Sequence, residues 1–345
     1  MLLNITLLLV GFAILIKGAD FLVNGASSIA KKNGISNLAI GLTVVAFGTS
    51  LPELVVSFFA AIDGKNDASF GNVIGSNIFN LLFILGISGI IYPLVVQHNT
   101  VKYEVPLSLL AAGILFFLVN DSMLWGSGPI TTVSQNEDGA AITSVYQGIL
   151  GRFDSIVLLV FFALFLYYIY RTMSATSDLE EGDPIKLYSN PMSIGMIILG
   201  LAALIGGGKI VVDNAIDIAH SFGLSERFIG LTILAAGTSL PELATSAVAA
   251  YRKNTDIAIG NIVGSNIFNI FFILGVTGLV NPIPYSATMN MDIYILCGST
   301  VLLMIFMFTL NTRKLDRWEA VIMLVLYIAY TLYLIGDDTG ALVLK

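Results

Sequence analysis

The chain has 345 residues, of which 56% are hydrophobic and only 11% are charged. A water-soluble domain usually has about 45–50% apolar and about 25% charged residues, so this composition excludes an ordinary soluble globular protein. The formal net charge is −7. This acidic balance argues against nucleic acid as a partner, because phosphate binding needs clustered Lys and Arg. We therefore expect a protein that is embedded in the lipid bilayer.

Apolar stretches of about 20 residues, the length that spans the hydrocarbon core of a bilayer, recur along the whole chain. They predict about ten transmembrane helices, near residues 3–25, 36–62, 67–92, 103–119, 154–171, 192–218, 226–251, 256–280, 290–310 and 316–336. The polar stretch 172–190 is predicted to be a linker between a first five-helix half, 1–171, and a second, 191–345. Its acidic segment 178–183 is interpreted as a solvated part of that linker. The predicted fold class is an all-α integral membrane protein.

A shift of 189 residues aligns the two halves without a gap. The matching segments are GTSLPE at 48–53 and 237–242, and GSNIFN at 75–80 and 264–269. One register held over this distance indicates a duplication, with repeated regions at about 36–92 and about 225–281. Five helices per half is an odd number, so the second half must enter the membrane from the opposite side. The sequence thus predicts two inverted repeats, an architecture typical of secondary transporters, whose binding site lies near the bilayer midplane.

The loops differ in their content of Lys and Arg, which favour the cytoplasmic side. With the N-terminus outside, the inner loops carry Lys31, Lys32, Lys102, Arg171, Lys186, Arg252, Lys253, Arg313, Lys314 and Arg317, and the outer segments carry Lys65, Arg152, Arg227 and Lys345. We expect both termini to be extracytoplasmic in the plasma membrane and the 172–190 linker to be cytoplasmic. The long outer loop from Asn120 to Asp154 has no counterpart in the second half and is interpreted as a tolerated insertion.

Two glutamates, Glu53 and Glu242, lie within predicted helices, each directly after a proline. An ionised carboxylate at membrane depth costs several kcal/mol unless it is paired or hydrated, so both residues indicate function. Proline cannot donate an amide hydrogen, and we expect it to free backbone carbonyls one turn earlier, near Ala46 and Phe47 in one half and near Ala235 and Ala236 in the other. Carboxylates, carbonyls and the neighbouring Thr and Ser hydroxyls are hard oxygen ligands, which suit Na⁺ and Ca²⁺.

The GSNIFN segments supply a second set of polar residues. Ser76 and Asn80 are four residues apart, as are Ser265 and Asn269, so each pair lies on one helix face. This face can complete an oxygen cage opposite the glutamates, and a bound Ca²⁺ would neutralise the two carboxylates. Four glycines in these helices are expected to allow close helix packing. They are Gly71, Gly75, Gly260 and Gly264.

The paired GTSLPE and GSNIFN segments resemble the two alpha-repeats of the cation/calcium exchanger superfamily, the sodium/calcium exchanger branch in particular. The resemblance covers both halves. It implies a ten-helix antiporter with four clustered ion sites, alternately open to either side as the first and sixth helices slide across the bundle. It implies Ca²⁺ and Na⁺ as transported ions. The implied ligands are Glu53, Glu242, Thr49, Ser50, Ser76, Asn80, Thr238, Ser239, Ser265 and Asn269, with backbone carbonyls at Ala46 and Ala235.

Some relatives, including potassium-dependent ones, carry Asp where this chain has Asn269, so the resemblance does not imply K⁺ co-transport. We expect a monomer without a cofactor. A Ca²⁺/H⁺ antiporter of the same superfamily is the nearest alternative, although its members usually carry a GNATE-type motif. A cation channel is a second alternative, but channels usually line a pore with rings from several subunits. An enzyme is not expected, since the only histidines are His98 and His220 and there is no H-E-x-x-H motif.

Overall fold

The structure is a computed structural model that describes residues 2–120, 130–135, 141–146, 148–172, 186–221, 235–309 and 313–338. Long apolar helices make up most of it. In chain order the helices, long and short, are α1 Leu2–Asn33, α2 Asn37–Thr49, α3 Leu51–Ile62, α4 Asn66–Ile91, α5 Thr100–Val119, α6 Arg152–Thr172, α7 Asn190–Ser221, α8 Ala235–Thr238, α9 Leu240–Tyr251, α10 Thr255–Val280, α11 Asn290–Phe306 and α12 Arg317–Asp338.

Within the described residues, eight helices are long and apolar enough to cross a membrane, and the bent pair α2 and α3 forms one further span. In the second half, α8 and α9 take the corresponding position, and 226–234 of the predicted seventh helix lie outside the described residues. The predicted helical membrane fold is confirmed. Two predicted ends are wrong: α1 continues to Asn33 rather than 25, and α11 ends at Phe306 rather than 310. Of the predicted linker, 173–185 with the acidic segment also lie outside the described residues.

Short antiparallel strand pairs join the loops. β1 Leu94–Val95 pairs with β6 Lys314–Leu315, β2 Ile130–Gln135 with β3 Ala141–Tyr146, and β4 Gly148–Leu150 with β5 Ile283–Tyr285. The first and last of these pairs connect the first half of the chain to the second, at opposite ends of the helices. The β2–β3 hairpin belongs to the loop that has no counterpart in the second half. We call the end of the bundle where α6 ends and α7 begins the linker face.

The two longest helices, α1 and α7, pack against each other through glycines. A Cβ atom at Gly18 would lie 3.0 Å from the carbonyl oxygen of Gly200, and one at Gly207 would lie 3.1 Å from the carbonyl oxygen of Gly11. The 189-residue shift relates Gly11 to Gly200 and Gly18 to Gly207. The contact is therefore symmetric between the repeats, and the missing side chains let the two backbones approach closely.

Glycines also bring α2 against α10. A Cβ atom at Gly260 would lie 3.0 Å from the carbonyl oxygen of Leu38, and one at Gly264 would lie 2.8 Å from the Cα atom of Leu42. The predicted role of these two glycines in close packing is confirmed. By the 189-residue shift, Gly71 and Gly75 would pack in the same way against residues 227–235. Most of that segment lies outside the described residues. This packing places the first GTSLPE segment directly beside the second GSNIFN segment.

Candidate ion-binding site

Helix breaks at Ser50 and Ser239 place both glutamates inside the bundle. The axes of α2 and α3 differ by 47° across Ser50, whose φ and ψ are −85° and 8°, and Ser239 adopts nearly the same values, −91° and 9°. A proline follows within the first turn of α3 and of α9, where its missing N–H has no helical partner to lose. Glu53 and Glu242 therefore lie in the first turns of α3 and α9, and both are fully buried.

Each carboxylate is bound by a serine of the other repeat. Ser239 Oγ donates a hydrogen bond of 2.9 Å to Glu53 Oε1, and Ser50 Oγ donates one of 2.9 Å to Glu242 Oε1. Ser265 Oγ also donates to Glu242 Oε1, at 3.5 Å. The two predicted half-sites thus meet in one site at the interface between the repeats.

Asn77 and Asn266, which were not among the predicted site residues, orient Asn80 and Asn269, which were. Asn77 and Asn266 each donate from Nδ2 to the backbone carbonyl of the other, at 3.1 and 3.2 Å. Their Oδ1 atoms accept from Asn269 Nδ2 at 2.9 Å and from Asn80 Nδ2 at 3.0 Å, respectively. Because the amide nitrogens of Asn80 and Asn269 are used in this way, their oxygens remain available as acceptors.

The local backbone of these asparagines is unusual. Asn80 lies in a π-helical stretch, Phe79–Ile84, and Asn269 begins the equivalent one, Asn269–Leu274. Such wide turns occur mostly as short insertions in α-helices and are frequent at functional sites. They occur here at repeat-equivalent positions, so the irregularity belongs to the site rather than to one helix.

A second asparagine pair, Asn72 and Asn261, was also missed. Asn261 Oδ1 accepts from Thr49 Oγ1 at 3.1 Å, and Asn72 Oδ1 accepts from Thr238 Oγ1 at 3.2 Å. Their amide nitrogens donate to Ser246 and Ser57, both at 2.9 Å. The sequence did contain a signal, because Gly71-Asn72 and Gly260-Asn261 match at the 189-residue shift. These residues hold the predicted threonines in place.

The carbonyl of Ala46 is not free. It accepts the amide of Ser50 at 3.0 Å and the hydroxyl of Thr49 at 3.4 Å, so the prediction that proline frees it is wrong. Pro52 lies in the first turn of α3, where its missing amide removes no intrahelical bond, so the bond from Ser50 to Ala46 stays intact. For Ala235, the structure describes the backbone, as the first residue of α8.

Several buried oxygens at this site have no hydrogen-bond partner within the described residues. They are Glu53 Oε2, Glu242 Oε2, Ser76 Oγ, Asn80 Oδ1 and Asn269 Oδ1. In the described part of the chain, neither glutamate forms an ion pair with Lys or Arg. Buried acceptors without partners are costly, and carboxylate and amide oxygens can be satisfied by a hard cation. The donor set fits Na⁺ or Ca²⁺ and contains no sulfur or imidazole ligand of the kind that softer metals prefer.

In the described residues, two repeats of apolar helices bring buried acidic residues together at their interface, and this arrangement is typical of inverted-repeat membrane transporters. The Sodium/calcium exchanger protein family matches residues 3–171 and 192–336, and the chain belongs to this family.

Individual relatives match over most of their lengths. The chain is 31% identical over 355 residues to sodium/calcium exchanger MaX1 of Methanosarcina acetivorans, covering 96% of this chain and 98% of that one. It is 37% identical over 291 residues to inner membrane protein YrbG of Escherichia coli, covering 82% and 81%. A solved structure of the sodium-calcium exchanger NCX_Mj, soaked with 2.5 mM Na⁺ and 0.1 mM Ca²⁺, matches with a TM-score of 0.76 and 31% identity, covering 95% of this chain and 97% of that one. The resemblance that the sequence motifs indicated is confirmed.

Proposed function

We propose that the protein is an antiporter that exchanges Na⁺ for Ca²⁺ at the site between its repeats, near the midplane of the plasma membrane. The observation that carries the proposal is the set of unpartnered, buried oxygens around two carboxylates that have no cationic side chain as partner in the described residues. Family membership supports it, as do the names of the relatives, which describe sodium/calcium exchange for MaX1 and for NCX_Mj.

In this proposal the twelve residues predicted from the sequence are the ion ligands. Glu53 and Glu242 supply two formal negative charges, which one Ca²⁺ balances. Ser50 and Ser239 connect each carboxylate to the other repeat, so displacement of one half of the bundle changes both carboxylates together. The Ala46 carbonyl already accepts a helical hydrogen bond from Ser50. It would coordinate the ion through its second lone pair, which is engaged only by the weak contact with Thr49.

We infer alternating access from an asymmetry between the repeats. Within the described residues, α1 packs along α9, whereas the corresponding helices α7 and α3 are not packed together. Arg252, after α9, forms an ion pair with Asp20 on α1 and donates to Asn24 Oδ1 at 2.5 Å. Asn254 Nδ2 donates to Ser27 Oγ at 3.1 Å. These contacts support a state that is closed at the linker face.

The repeat supplies a counterpart of this contact with the charges exchanged. The 189-residue shift relates Asp20 to Lys209 and Arg252 to Asp63. In this structure, Lys209 pairs instead with Asp213 on its own helix, at 3.5 Å. In the opposite state we expect α7 to pack on α3 and Lys209 to approach Asp63. Since α1 and α7 are joined through their glycines, they would move together between these states.

Replacing Arg252 by Gln is therefore expected to weaken closure at the linker face. The measurement is the reaction rate of a membrane-impermeant thiol reagent, applied from the linker side, with Ser27→Cys in a Cys297→Ser background. Ser27 is buried against Asn254, so its reactivity should rise several-fold. Lys209→Gln, at the other end of the paired helices, is the control and should not raise it. Equal rates with and without Arg252→Gln would contradict this role.

The exchange itself is tested with purified protein in liposomes loaded with Na⁺. We expect uptake of ⁴⁵Ca²⁺ that requires an outward Na⁺ gradient and is absent from protein-free liposomes. Uptake that is driven by a pH gradient and not by Na⁺ would replace this proposal with a Ca²⁺/H⁺ antiporter. Uptake that proceeds without either counter-ion gradient would favour a channel.

The orientation is a separate prediction. With both termini extracytoplasmic, a cysteine at Ser177 should be labelled only from the cytoplasmic side, and one at Gln135 only from outside, again in a Cys297→Ser background. The measurement is labelling of intact cells by an impermeant reagent, with permeabilised cells as the control. The reverse pattern would refute the orientation. Labelling of both positions from one side would refute the odd number of spans per half.

A further inference from the structure

Asn261 on α10 links a threonine of the first repeat to the glutamate helix of the second. Its Nδ2 donates to the backbone carbonyl of Glu242 at 3.4 Å and to Ser246 Oγ at 2.9 Å, both on α9. Its Oδ1 accepts from Thr49 Oγ1 at 3.1 Å. A backbone carbonyl can only accept, so the contact with Glu242 fixes which end of the amide faces Thr49. Asn261 therefore presents an acceptor to the threonine hydroxyl.

The contacts of Thr49 Oγ1 in the described residues are all with acceptors. Besides Asn261 Oδ1, they are the backbone carbonyls of Val45 at 3.1 Å and of Ala46 at 3.4 Å. A hydroxyl has one hydrogen and two acceptor lone pairs, so these contacts compete for the hydrogen and none of them uses a lone pair. Thr49 and Asn261 are both fully buried, so bulk water does not take part. Both lone pairs of Thr49 Oγ1 thus remain for a cation.

The same asparagine affects the carbonyl of Ala46, another proposed ligand. This carbonyl accepts the amide of Ser50, and its second lone pair is engaged only by the 3.4 Å contact with Thr49. Asn261 Oδ1 is a nearer acceptor, at 3.1 Å, and draws the Thr49 hydrogen away from Ala46. One side chain thereby leaves two neighbouring neutral oxygens, of a hydroxyl and of a carbonyl, open to a hard cation.

Asn72 repeats this arrangement in the other half. It donates from Nδ2 to the carbonyl of Glu53 at 3.3 Å and to Ser57 Oγ at 2.9 Å, and its Oδ1 accepts from Thr238 Oγ1 at 3.2 Å. The 189-residue shift relates each of these residues to its counterpart around Asn261. The same donors and acceptors recur although Asn261 is fully buried and Asn72 is partly exposed, so burial alone does not explain them.

We propose that Asn261 is a positioning residue, which directs the hydroxyl hydrogen of Thr49 away from the bound ion without touching the ion. Asn72 does the same for Thr238. Each threonine is thus oriented by the repeat to which it does not belong. The threonines are ion ligands under the proposed function, on which this role rests. Outer-shell partners of this kind orient metal ligands, and their loss typically lowers affinity about 10- to 100-fold.

The test measures binding of ⁴⁵Ca²⁺ to the full chain in detergent, by equilibrium dialysis without Na⁺. Asn261→Leu nearly keeps the size of the side chain and removes its acceptor, so it should raise the half-saturating Ca²⁺ concentration about tenfold. Ser246→Ala removes the shortest contact of the Asn261 amide nitrogen and should shift the concentration in the same direction by less. If Asn261→Leu does not fold, an unchanged affinity in Ser246→Ala overturns the positioning role.

Two comparisons separate positioning from a general structural role. In a Thr49→Val background the hydroxyl is already absent, so adding Asn261→Leu should change the half-saturating concentration less than about twofold. Asn290→Leu is the matched control, because it removes a buried asparagine that bonds to Asn120 and Tyr285, outside the site. It should lower the midpoint of thermal unfolding, as Asn261→Leu does, and leave the Ca²⁺ affinity unchanged.

An unchanged Ca²⁺ affinity in Asn261→Leu would overturn the positioning role. An equal shift in Asn290→Leu, or a full tenfold shift in the Thr49→Val background, would overturn it as well. The exchange proposal would still stand after these results if the unsubstituted protein takes up Ca²⁺ into Na⁺-loaded liposomes. Conversely, the expected shifts in a protein without Na⁺-driven uptake would remove the exchange proposal and leave the positioning role standing.

Discussion

Replacing Glu53 by Gln is expected to reduce Na⁺-driven Ca²⁺ uptake by about 100-fold or more, equivalent to about 2.8 kcal/mol or more of lost ion stabilisation. Gln keeps the size of the side chain and an oxygen that can accept from Ser239, so the helix break and the repeat interface should persist. What is lost is one of two negative charges in a buried site with no other charged partner in the described residues. The initial rate of ⁴⁵Ca²⁺ uptake into liposomes measures the effect.

Glu242→Gln should have the same effect, because Ser50 holds Glu242 as Ser239 holds Glu53. Asp67→Asn, a carboxylate outside the central site, is the control and should transport at the unsubstituted rate. Size-exclusion profiles of all three variants check that the protein remains folded. Normal uptake by either glutamate variant would show that these residues are not the principal ligands.

The membrane-spanning helices could be predicted from the sequence because a bilayer imposes a length. Each span needs about 20 apolar residues, and this requirement is visible without any knowledge of tertiary contacts. The repeat was equally visible, since GTSLPE and GSNIFN each recur at the same offset of 189 residues. The α1 end was misjudged because its last residues, including Lys31 and Lys32, are polar and helical at the same time. Hydropathy reports burial in lipid and does not report where a helix ends in water.

The predicted ligands could be named individually, but their mutual contacts could not. That Ser50 binds Glu242 rather than its own neighbour Glu53 depends on the packing of one repeat against the other, which spacing within a helix does not contain. The same holds for the reciprocal bonds of Asn77 and Asn266, which decide the direction of two neighbouring amides. The prediction for Ala46 failed for a local reason: Pro52 lies in the first turn of a new helix, α3, so its missing amide removes no hydrogen bond from the helix that contains Ala46.

Ca²⁺ flux is also expected to be independent of K⁺. Asn269 contributes a neutral amide, so the site holds two formal negative charges, those of Glu53 and Glu242. A K⁺ ion beside Ca²⁺ would leave an uncompensated positive charge in a site of low dielectric constant. Uptake should stay unchanged when choline replaces K⁺ at zero membrane potential. Loss of the flux under these conditions would show that the interpretation of Asn269 is wrong.

Asn269→Asp should relax this restriction, and the structure indicates what else it does. The Asn269 amide now donates to Asn77 Oδ1 at 2.9 Å, and a carboxylate would place an acceptor against that acceptor. An unsatisfied buried acceptor costs about 1–3 kcal/mol, which a proton or an additional monovalent cation would relieve. We expect the variant to bind Ca²⁺ or an extra monovalent ion more strongly. Thermal unfolding in Na⁺, K⁺ and choline measures this, and a midpoint that ignores the monovalent ion would contradict it.

The charge count also predicts a response to voltage. The resemblance suggests three Na⁺ exchanged for one Ca²⁺, which carries one net positive charge in the direction of Na⁺ movement. An inside-negative potential should then favour Ca²⁺ extrusion by about 2.3 kcal/mol per 100 mV. The test sets the potential with valinomycin and graded K⁺ concentrations, which is valid because K⁺ itself is not expected to be transported. With extravesicular Ca²⁺ and internal Na⁺, uptake should slow as the interior becomes negative. At equilibrium, a potential of 100 mV should lower the ratio of internal to external Ca²⁺ by up to about 50-fold. Uptake that stays flat across these potentials would mean an electroneutral exchange of two Na⁺ for one Ca²⁺, in which the two carboxylates are neutralised equally in both halves of the cycle.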